Sequence, residues 1–312
     1  MDVFNKILGN DHIKNSLKSA VNSGKISHAY IISGCAGMGK KLISYTFAKE
    51  LAHAVDIITI KPVKASIGID EVREQITHKM RSKPYSSKYK VFVIENADKL
   101  TASAQNALLK TIEEPEHYGV FLLICENYNT FLPTIISRAQ VLTVTPLPYE
   151  TVFNYLIENG ITTDENAEVF AAYSEGSIGR AVKLAKDEGF KILRSDFLRL
   201  IEAVETGDEL DAIKIAEEIT NNTHYKDKVS VGLEVLMIKY LDALIYKSTN
   251  RLDLMTERSQ NIKDFTHNKT LMQLTKDIEA IDKAKTALSQ NANARLTLEV
   301  MLLEINGNNR SN

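Results

Sequence analysis

The sequence contains only two cysteines, Cys35 and Cys125, among 312 residues. Two cysteines form neither a framework of several disulfides nor a four-cysteine zinc site, and such low usage is typical of a reducing compartment. No apolar run reaches the about 18 residues that a membrane-spanning helix needs. The N-terminus also lacks the apolar core of a signal peptide, because it is interrupted by Asp2, Asn5, Lys6 and Asn10. Together these absences predict a soluble, cytoplasmic protein.

A strong excess of positive charge is absent as well. The 38 lysine and arginine residues are opposed by 40 aspartate and glutamate residues, so the formal net charge is −2. Proteins that bind nucleic acid by themselves usually carry a basic surface. Any DNA contact is therefore expected from a local patch, such as the basic segment of residues 79–90, which a solvated loop explains equally well.

The first half of the chain alternates short apolar runs with helical patterns, whereas only helical patterns follow Pro148. Three of the runs have no polar interruption, as expected for a parallel sheet covered by helices on both faces. The predicted strands are residues 29–32, 55–60, 91–94, 120–124 and 141–144. The sequence predicts an α/β domain (residues 1–147), a small helical domain (148–206) and an all-helical C-terminal domain (207–312), with a frayed polar tail over residues 306–312.

Residues 34–40, Gly-Cys-Ala-Gly-Met-Gly-Lys, match the phosphate-binding loop pattern G-x-x-x-x-G-K. The match lies between a predicted strand and a predicted helix, where backbone N–H groups and the helix N-terminus attract phosphate. The residues expected to contact a nucleotide are Gly34, Gly37, Gly39, Lys40 and Lys41. Lys41 stands where a working site has the Ser or Thr that binds magnesium, and an ammonium group cannot coordinate a cation. A tight glycine turn without a ligand therefore remains an alternative.

The third predicted strand is followed by Glu95 and Asn96. An active enzyme of this class has an Asp for the magnesium shell here and then a Glu that polarises the attacking water. Glu95 has one methylene too many for the first role, and the Asn96 amide cannot accept a proton. We predict that the chain does not hydrolyse ATP by itself and that ATP is at most a weakly held ligand.

Four segments resemble the bacterial clamp-loader branch of the AAA+ proteins. They are Ser27–Tyr30, Ala104–Pro115, Ser137–Arg138 and Asn291–Leu296, of which the string N-A-L-L-K-T-I-E-E-P in the second is highly specific. Within that family the altered loop and acidic motif are most similar to those of the delta-prime type of DNA polymerase III subunit. The resemblance implies an AAA+ phosphate-loop domain with a five-stranded parallel sheet, a helical lid and a helical collar that joins subunits.

The resemblance also implies roles for single residues. Arg138 corresponds to an arginine finger that reaches the ATP of the neighbouring subunit, although Ala139 replaces the cysteine that follows it in the family motif. A guanidinium suits this role because its planar fork binds phosphate oxygens in pairs. Arg180 resembles the second sensor of AAA+ lids, with a structural role as the alternative. Asn127 is a candidate first sensor, with the ordinary polarity of a loop as the stronger alternative.

Many relatives in this family insert a four-cysteine zinc module after the helix that follows the phosphate loop. Here residues 51–55 lead directly into the second predicted strand, and the histidines have no second ligand at a useful spacing. We therefore expect neither zinc nor any other metal site.

The leading interpretation is a largely non-hydrolysing clamp-loader subunit in a hetero-pentameric ring with gamma/tau ATPase and delta subunits. It would supply Arg138 in trans and help to load the sliding clamp. It would contact both the sliding clamp and primed DNA through the complex. The apolar helix over residues 296–305 would form part of the collar, with core packing as the competing explanation. The alternatives are an active gamma/tau-like ATPase or helicase-loader relative, and a DNA-binding factor that acts alone.

Overall fold

The computed structural model describes residues 3–62, 65–225, 228–252, 255–256, 262–267 and 269–310. The chain divides into two units by its internal contacts. The first comprises Met1–Gly160 with Ser174–Val182, and the second comprises Ile161–Tyr173 with Lys183–Asn312. The division into three domains at residues 147/148 and 206/207 stays a prediction.

The first unit is built on a five-stranded parallel sheet with strand order β2-β3-β4-β1-β5. The strands are β1 (Ala29–Ser33), β2 (Ile57–Ile60), β3 (Lys90–Ile94), β4 (Gly119–Ile124) and β5 (Gln140–Thr143). Every residue of β1, β3 and β4 is buried, as their uninterrupted apolar runs predict. β2 begins later than predicted, because Val55 lies in a 3-10 turn over Ala54–Asp56 and is exposed.

Helices cover both faces of this sheet. They are α1 (Asp11–Ser23), α2 (Lys40–Leu51), α3 (Ile69–Val72), α4 (His78–Met80), α5 (Ala102–Glu113), α6 (Pro133–Ile136) and α7 (Tyr149–Glu158), with a π-helical turn, Arg73–Thr77, between α3 and α4. Alternate residues of a strand enter different cores, since Ile31 packs with the α5 side and Tyr30 with the α2 side. The ring of Tyr30 meets that of Phe47 edge-on at 5.0 Å, and Phe92 stacks on Phe121 at 5.3 Å.

α5 follows the helix signals in its sequence. The Thr101 side chain accepts the Ala104 N–H at 3.2 Å and caps the helix, as predicted. Its buried face includes Leu108 and Ile112, and Pro115 follows shortly after the last helical residue. The segment with the most specific family resemblance is thus a helix packed against the sheet.

The basic segment of residues 79–90 is held by two buried charges. The Lys90 ammonium donates to the carbonyls of Lys79 and Ser82, and the Asp56 carboxylate accepts the N–H of Tyr85 at 2.6 Å. Lys90 therefore has a structural role and is not part of an exposed basic surface. Tyr85 itself is 87% exposed. DNA contact by the rest of this segment stays a prediction.

Among its described residues, the second unit contains helices and their connections but no strand. Its helices are α8 (Asp164–Ala172), α10 (Glu188–Glu205), α11 (Glu209–Asn221), α12 (Val229–Thr249), α13 (Ile262–His267), α14 (Leu271–Ser289) and α15 (Ala294–Arg310), while α9 (Ile178–Lys186) begins in the first unit and ends in the second. One apolar core joins α10, α11, α12, α14 and α15. Gly232 on α12 allows a close approach of Phe197 on α10, because a Cβ there would overlap the phenyl ring.

α15 has two apolar faces and extends further than the sequence suggests. Leu298, Met301, Leu302 and Ile305 are buried, whereas Leu296, Val300 and Leu303 are exposed. The helix continues through Asn306–Arg310, so the prediction of a frayed tail from residue 306 is wrong for these residues. Residues 311–312 lie outside the described part of the chain. None of the helices in the described ranges combines the length and the apolar character needed to cross a membrane.

Candidate nucleotide site and interface arginine

The predicted phosphate loop connects the end of β1 to the start of α2. Gly34 has φ 142°, and a Cβ there would lie 2.7 Å from the carbonyl oxygen of Val144. Gly37 has φ 77°, which L side chains rarely adopt. No side chain caps α2, whose N-cap is Gly39, so its first N–H groups are available to an anion. The loop therefore has the backbone geometry of a phosphate cradle.

The Lys40 side chain closes back over this loop. It is 8% exposed, and its ammonium donates to the carbonyls of Gly34 and Cys35. Burial lowers the pKa of Lys40, while the nearby Glu126 carboxylate acts in the opposite direction. A cavity of about 330 Å³ opens beside these groups. It is lined by Ala36, Gly37, Gly39, Lys40, Lys41, Asn96, Ile124, Cys125 and Glu126.

Lys41 points to the second acidic motif and forms an ion pair with it. Its Nζ lies 2.6 Å from Oε2 of Glu95, which is 4% exposed at the end of β3. The other oxygen, Oε1, accepts the Tyr45 hydroxyl at 2.8 Å and lies 3.4 Å from Nζ of Lys61. Burial by itself would raise the pKa of Glu95, but hydrogen bonds from Lys41 and Tyr45 lower it below its usual value. The carboxylate is therefore ionised and has donors on both oxygens.

These residues do not fit a divalent cation. The hydroxyl ligand is replaced by an ammonium, and the Glu95 oxygens are already engaged. Within the described ranges, no three His, Cys, Asp or Glu residues come together as metal ligands would. Asn96 lines the cavity in a left-handed conformation, with φ 50°, and supplies only an amide where a base is required.

A second cavity of about 240 Å³ adjoins the first and shares Gly37 and Gly39 with it. Its other lining residues are Ile7, Leu8, Asn10, Met38, Leu42, Ile43, Leu147, Tyr155, Ile178 and Gly179. A mostly apolar cleft beside a phosphate loop suits the base and sugar of a nucleotide. The sequence did not reveal this cleft, because its walls come from the N-terminal segment, α2, α7 and the start of α9.

The start of α9 lies directly on the phosphate loop. The Gly179 N–H donates to the Gly37 carbonyl at 3.1 Å, and the Ser177 hydroxyl donates to the Ala36 carbonyl at 3.3 Å. The Arg180 guanidinium instead contacts Glu175, with Nη1 3.2 Å from Oε2, and Arg180 is not among the described residues that line either cavity. Its role as a second sensor stays a prediction.

Arg138 lies between α6 and β5 and is 42% exposed. Its Nη2 lies 3.0 Å from Oε1 of Glu113 at the end of α5, and its Nη1 donates to the Thr134 carbonyl at 3.1 Å. The buried Gln105 amide links the same two helices, because it accepts the Leu132 N–H at 2.8 Å. α5 thus holds both the turn that precedes α6 and the arginine that follows it.

Arg138 and the phosphate loop lie at opposite edges of the sheet. Arg138 is at the edge where the parallel strands begin, and the loop is at the edge where they end. β1 and β5 are parallel, and Tyr30, near the start of β1, pairs with Gln140, the first residue of β5. Arg138 precedes β5, whereas the loop follows β1. The length of β1, about 13 Å at about 3.3 Å per residue, therefore separates the two edges. The guanidinium contacts Glu113, Thr134 and Ser137.

Asn127 takes a local role after β4. Its side chain accepts the Asn129 N–H at 2.9 Å and caps the 3-10 turn Tyr128–Thr130. The neighbouring Glu126 lines the phosphate cavity. The first-sensor role of Asn127 stays a prediction.

Comparisons with known proteins show similarity to subunits of DNA polymerase III. Residues 50–148 match the family described as "DNA polymerase III, delta subunit". The delta-prime subunit of DNA polymerase III from Bacillus subtilis is 26% identical over 309 aligned residues, which cover 92% of this chain and 93% of that protein. Over most of its length the chain is therefore similar to a DNA polymerase III subunit. The family match includes Glu95, Asn96 and Arg138 and begins after the phosphate loop.

Two further comparisons extend this result. The tau subunit of Bacillus subtilis is 26% identical, and the alignment covers 97% of this chain but only 61% of tau, less than two thirds of its length. The structure of a gamma subunit-related protein from Thermotoga maritima superposes with a TM-score of 0.51 at 19% identity, over 94% of this chain and 99% of that chain. The predicted AAA+ fold with helical C-terminal parts is confirmed.

Several site residues were not evident from the sequence. Tyr45 and Lys61 complete the surroundings of Glu95, and Glu113 and Gln105 hold the Arg138 region. Glu113 and Gln105 belong to the family-specific segment. The resemblance of that segment to a known family drew attention to these two residues, but it did not show that they contact residues around α6.

Proposed function

We propose that this chain is a largely non-hydrolysing subunit of a bacterial clamp loader that supplies Arg138 to the ATP site of a neighbouring subunit. The neighbours are gamma/tau-type ATPase and delta-type subunits in a hetero-pentameric ring, and the assembly loads the sliding clamp on primed DNA in the cytoplasm. The observation that carries the proposal is the exposed Arg138 at the sheet edge opposite its own phosphate loop.

The contacts of Arg138 suit such a role. Exposed ion pairs are typically worth 0–1 kcal/mol, so the about 40% exposed pair with Glu113 is readily exchanged for a phosphate. Meanwhile Glu113 and the Thr134 carbonyl keep the guanidinium near one orientation. A pre-oriented arginine loses less side-chain entropy when it engages the neighbour's phosphates.

The chain's own loop supports the non-hydrolysing assignment. Lys41 takes the position of the magnesium ligand, and Asn96 cannot act as a base. The alternative of an active gamma/tau-like ATPase draws support from the intact glycines and Lys40. An active ATPase of this kind would hydrolyse ATP steadily as the isolated chain, and Lys40→Ala would abolish that hydrolysis. We expect the isolated chain to show no ATP hydrolysis.

The helical second unit offers a surface for the collar. Leu296, Val300 and Leu303 of α15 are spaced by four and three residues and are 55–62% exposed, so they form one apolar stripe on the helix surface. An exposed apolar stripe on a helix whose other face is already buried suits contact with neighbouring subunits. The exposed stripe of α15 therefore supports a collar contact, and its buried face supports core packing.

The test is reconstitution with gamma/tau-type and delta-type subunits. An arginine finger contributes about 10³–10⁵ to kcat at the site that it serves. We expect Arg138→Ala to remove the hydrolysis phase of the adjacent site in single-turnover assays and to reduce DNA-stimulated clamp loading. Arg138→Lys should restore little, because an ammonium lacks the planar fork. Arg199→Ala, which removes another exposed arginine and its ion pair with Glu218, is the matched control. Turnover and loading equal to wild type with Arg138→Ala would refute the finger role.

A further inference from the structure

Lys41 lies between the phosphate cavity and the acidic group that would normally face a metal ion. Lys41 lines the cavity, and its ammonium is 2.6 Å from Oε2 of Glu95. In a working site of this class, the cation at this place is held by the protein and also contacts the nucleotide phosphates. A protonated lysine held by the same carboxylate can provide positive charge from the same direction.

The surroundings of Glu95 leave no place for a divalent metal ion. Oε1 is engaged by the Tyr45 hydroxyl and approached by Lys61 at 3.4 Å, and Oε2 is engaged by Lys41. A divalent ion would have to displace one of these donors and would then lie close to two ammonium groups. Electrostatic repulsion therefore acts against the metal, while an anionic ligand experiences attraction.

We propose that the phosphate loop binds a nucleoside polyphosphate such as ADP or ATP without a divalent cation, with the Lys41 ammonium in place of the metal. The uncapped start of α2, Lys40 and Lys41 provide the phosphate contacts, and the adjoining apolar cleft takes the base and sugar. Glu126 lines the same cavity and repels phosphate, so the affinity is moderate.

This inference deepens the proposed function and takes from it the nucleotide as the ligand, but it does not depend on Arg138. The two ideas therefore fail separately. A binding experiment on the isolated full-length chain tests Lys41, whereas turnover by the reconstituted complex tests Arg138.

The test is isothermal titration of the full-length chain with ADP and ATP, in buffer with magnesium and in buffer with EDTA. For the wild type we expect dissociation constants that agree within about threefold in the two buffers, a smaller change than loss of a charge-assisted contact produces. Inorganic pyrophosphate should bind more weakly than ADP, because it leaves the apolar cleft empty.

Two variants of Lys41 make the prediction specific. Lys41→Thr places a hydroxyl at the magnesium position and removes the ion pair with Glu95, so binding should become at least about tenfold tighter with magnesium than with EDTA. Lys41→Met keeps the aliphatic stem without the charge and should weaken binding about tenfold or more in both buffers. Lys49→Met, the same change at an exposed position of α2, should leave the dissociation constant unchanged.

The Lys41 side chain is 58% exposed, so these variants are expected to fold, which circular dichroism checks. Absence of nucleotide binding by the wild type in both buffers would overturn the proposal. So would wild-type binding that requires magnesium, or Lys41→Met binding as tightly as the wild type. Pyrophosphate binding as tight as that of ADP would show a simple anion site and would overturn the nucleotide assignment.

Discussion

Replacement of Lys269 by methionine should strongly destabilise the second unit. Lys269 immediately precedes Thr270, the N-cap of α14, and its side chain is 3% exposed. The ammonium has three acceptors: Asp277 at 2.6 Å, Asn309 at 2.7 Å and Glu205 at 2.9 Å. An ammonium carries three protons, so every donor is satisfied. Lys269→Met removes all three contacts and keeps a side chain of similar length.

The size of the effect follows mainly from Asp277. Its side chain is fully buried, and burial raises its pKa even though Lys269 and the Asn308 amide act to lower it. Without Lys269, the carboxylate must either stay buried without a counter-charge or bind a proton. Removal of one partner from a buried ion pair typically costs about 3–5 kcal/mol. We therefore expect the free energy of unfolding of the second unit to fall by about that amount.

The measurement is native-state hydrogen exchange of the α14 and α15 amides, because a chain with two units is not expected to unfold in one step. The matched control is Lys283→Met, which removes the exposed pair between Lys283 and Glu304, 3.2 Å apart on the same two helices. That pair should be worth about 1 kcal/mol or less. The double variant Lys269→Met/Asp277→Leu should recover most of the loss, since an apolar pair can replace a buried ion pair.

Two results would refute this reasoning. Equal loss of protection in Lys269→Met and Lys283→Met would show that burial of the pair does not determine its effect. Additive losses in the double variant would show that the cost does not arise from an uncompensated Asp277.

Three further predictions concern other parts of the chain. Gly37→Ala should destabilise the first unit by about 1–3 kcal/mol from backbone strain and more from overlap with the Ser177 hydroxyl. The control is Gly160→Ala, at a similar φ of 61° with free space around it. In thermal unfolding, this control measures the backbone strain alone. Burial raises the pKa of Asp242 to about 6. The folded state therefore holds this proton more tightly than the unfolded chain, and the contribution of Asp242 to stability should decrease by about 3 kcal/mol as the pH rises from about 4 to 6; a decrease of equal size in Asp242→Asn would contradict this. Arg138→Ala should change the unfolding free energy by about 1 kcal/mol or less, since it loses an exposed ion pair, and a larger loss in urea unfolding would indicate a structural role instead.

Strands β1, β3 and β4 were predictable because burial on both faces leaves uninterrupted apolar runs. The start of β2 was misplaced because Val55 is apolar but exposed, and composition alone does not distinguish an exposed valine in a 3-10 turn from a strand residue. The end of α15 was missed for the opposite reason. Asn308 and Asn309 look like a polar tail, yet their amides bind Asp277 and the buried Lys269.

The candidate site was predictable as a set of residues but not as a set of contacts. The spacing of the loop identified Lys41, and the end of a strand identified Glu95. That the two form an ion pair depends on β3 lying next to α2, which local patterns do not contain. The apolar cleft was not predictable, because it is assembled from segments far apart in the sequence.

The placement of Arg138 and the phosphate loop at opposite edges of one sheet gives the subunit a direction. A contact that brings Arg138 of one molecule to the loop of the next joins two different surfaces, so it cannot be repeated by a two-fold axis. Contacts of this kind close into a ring or continue without limit as a filament. If the cavity of this chain does not accept a metal-bound nucleotide, another copy gains little by inserting its arginine there. Under the proposed function, the altered loop would therefore limit stacking of the subunit on itself and favour one copy at the end of an ordered series.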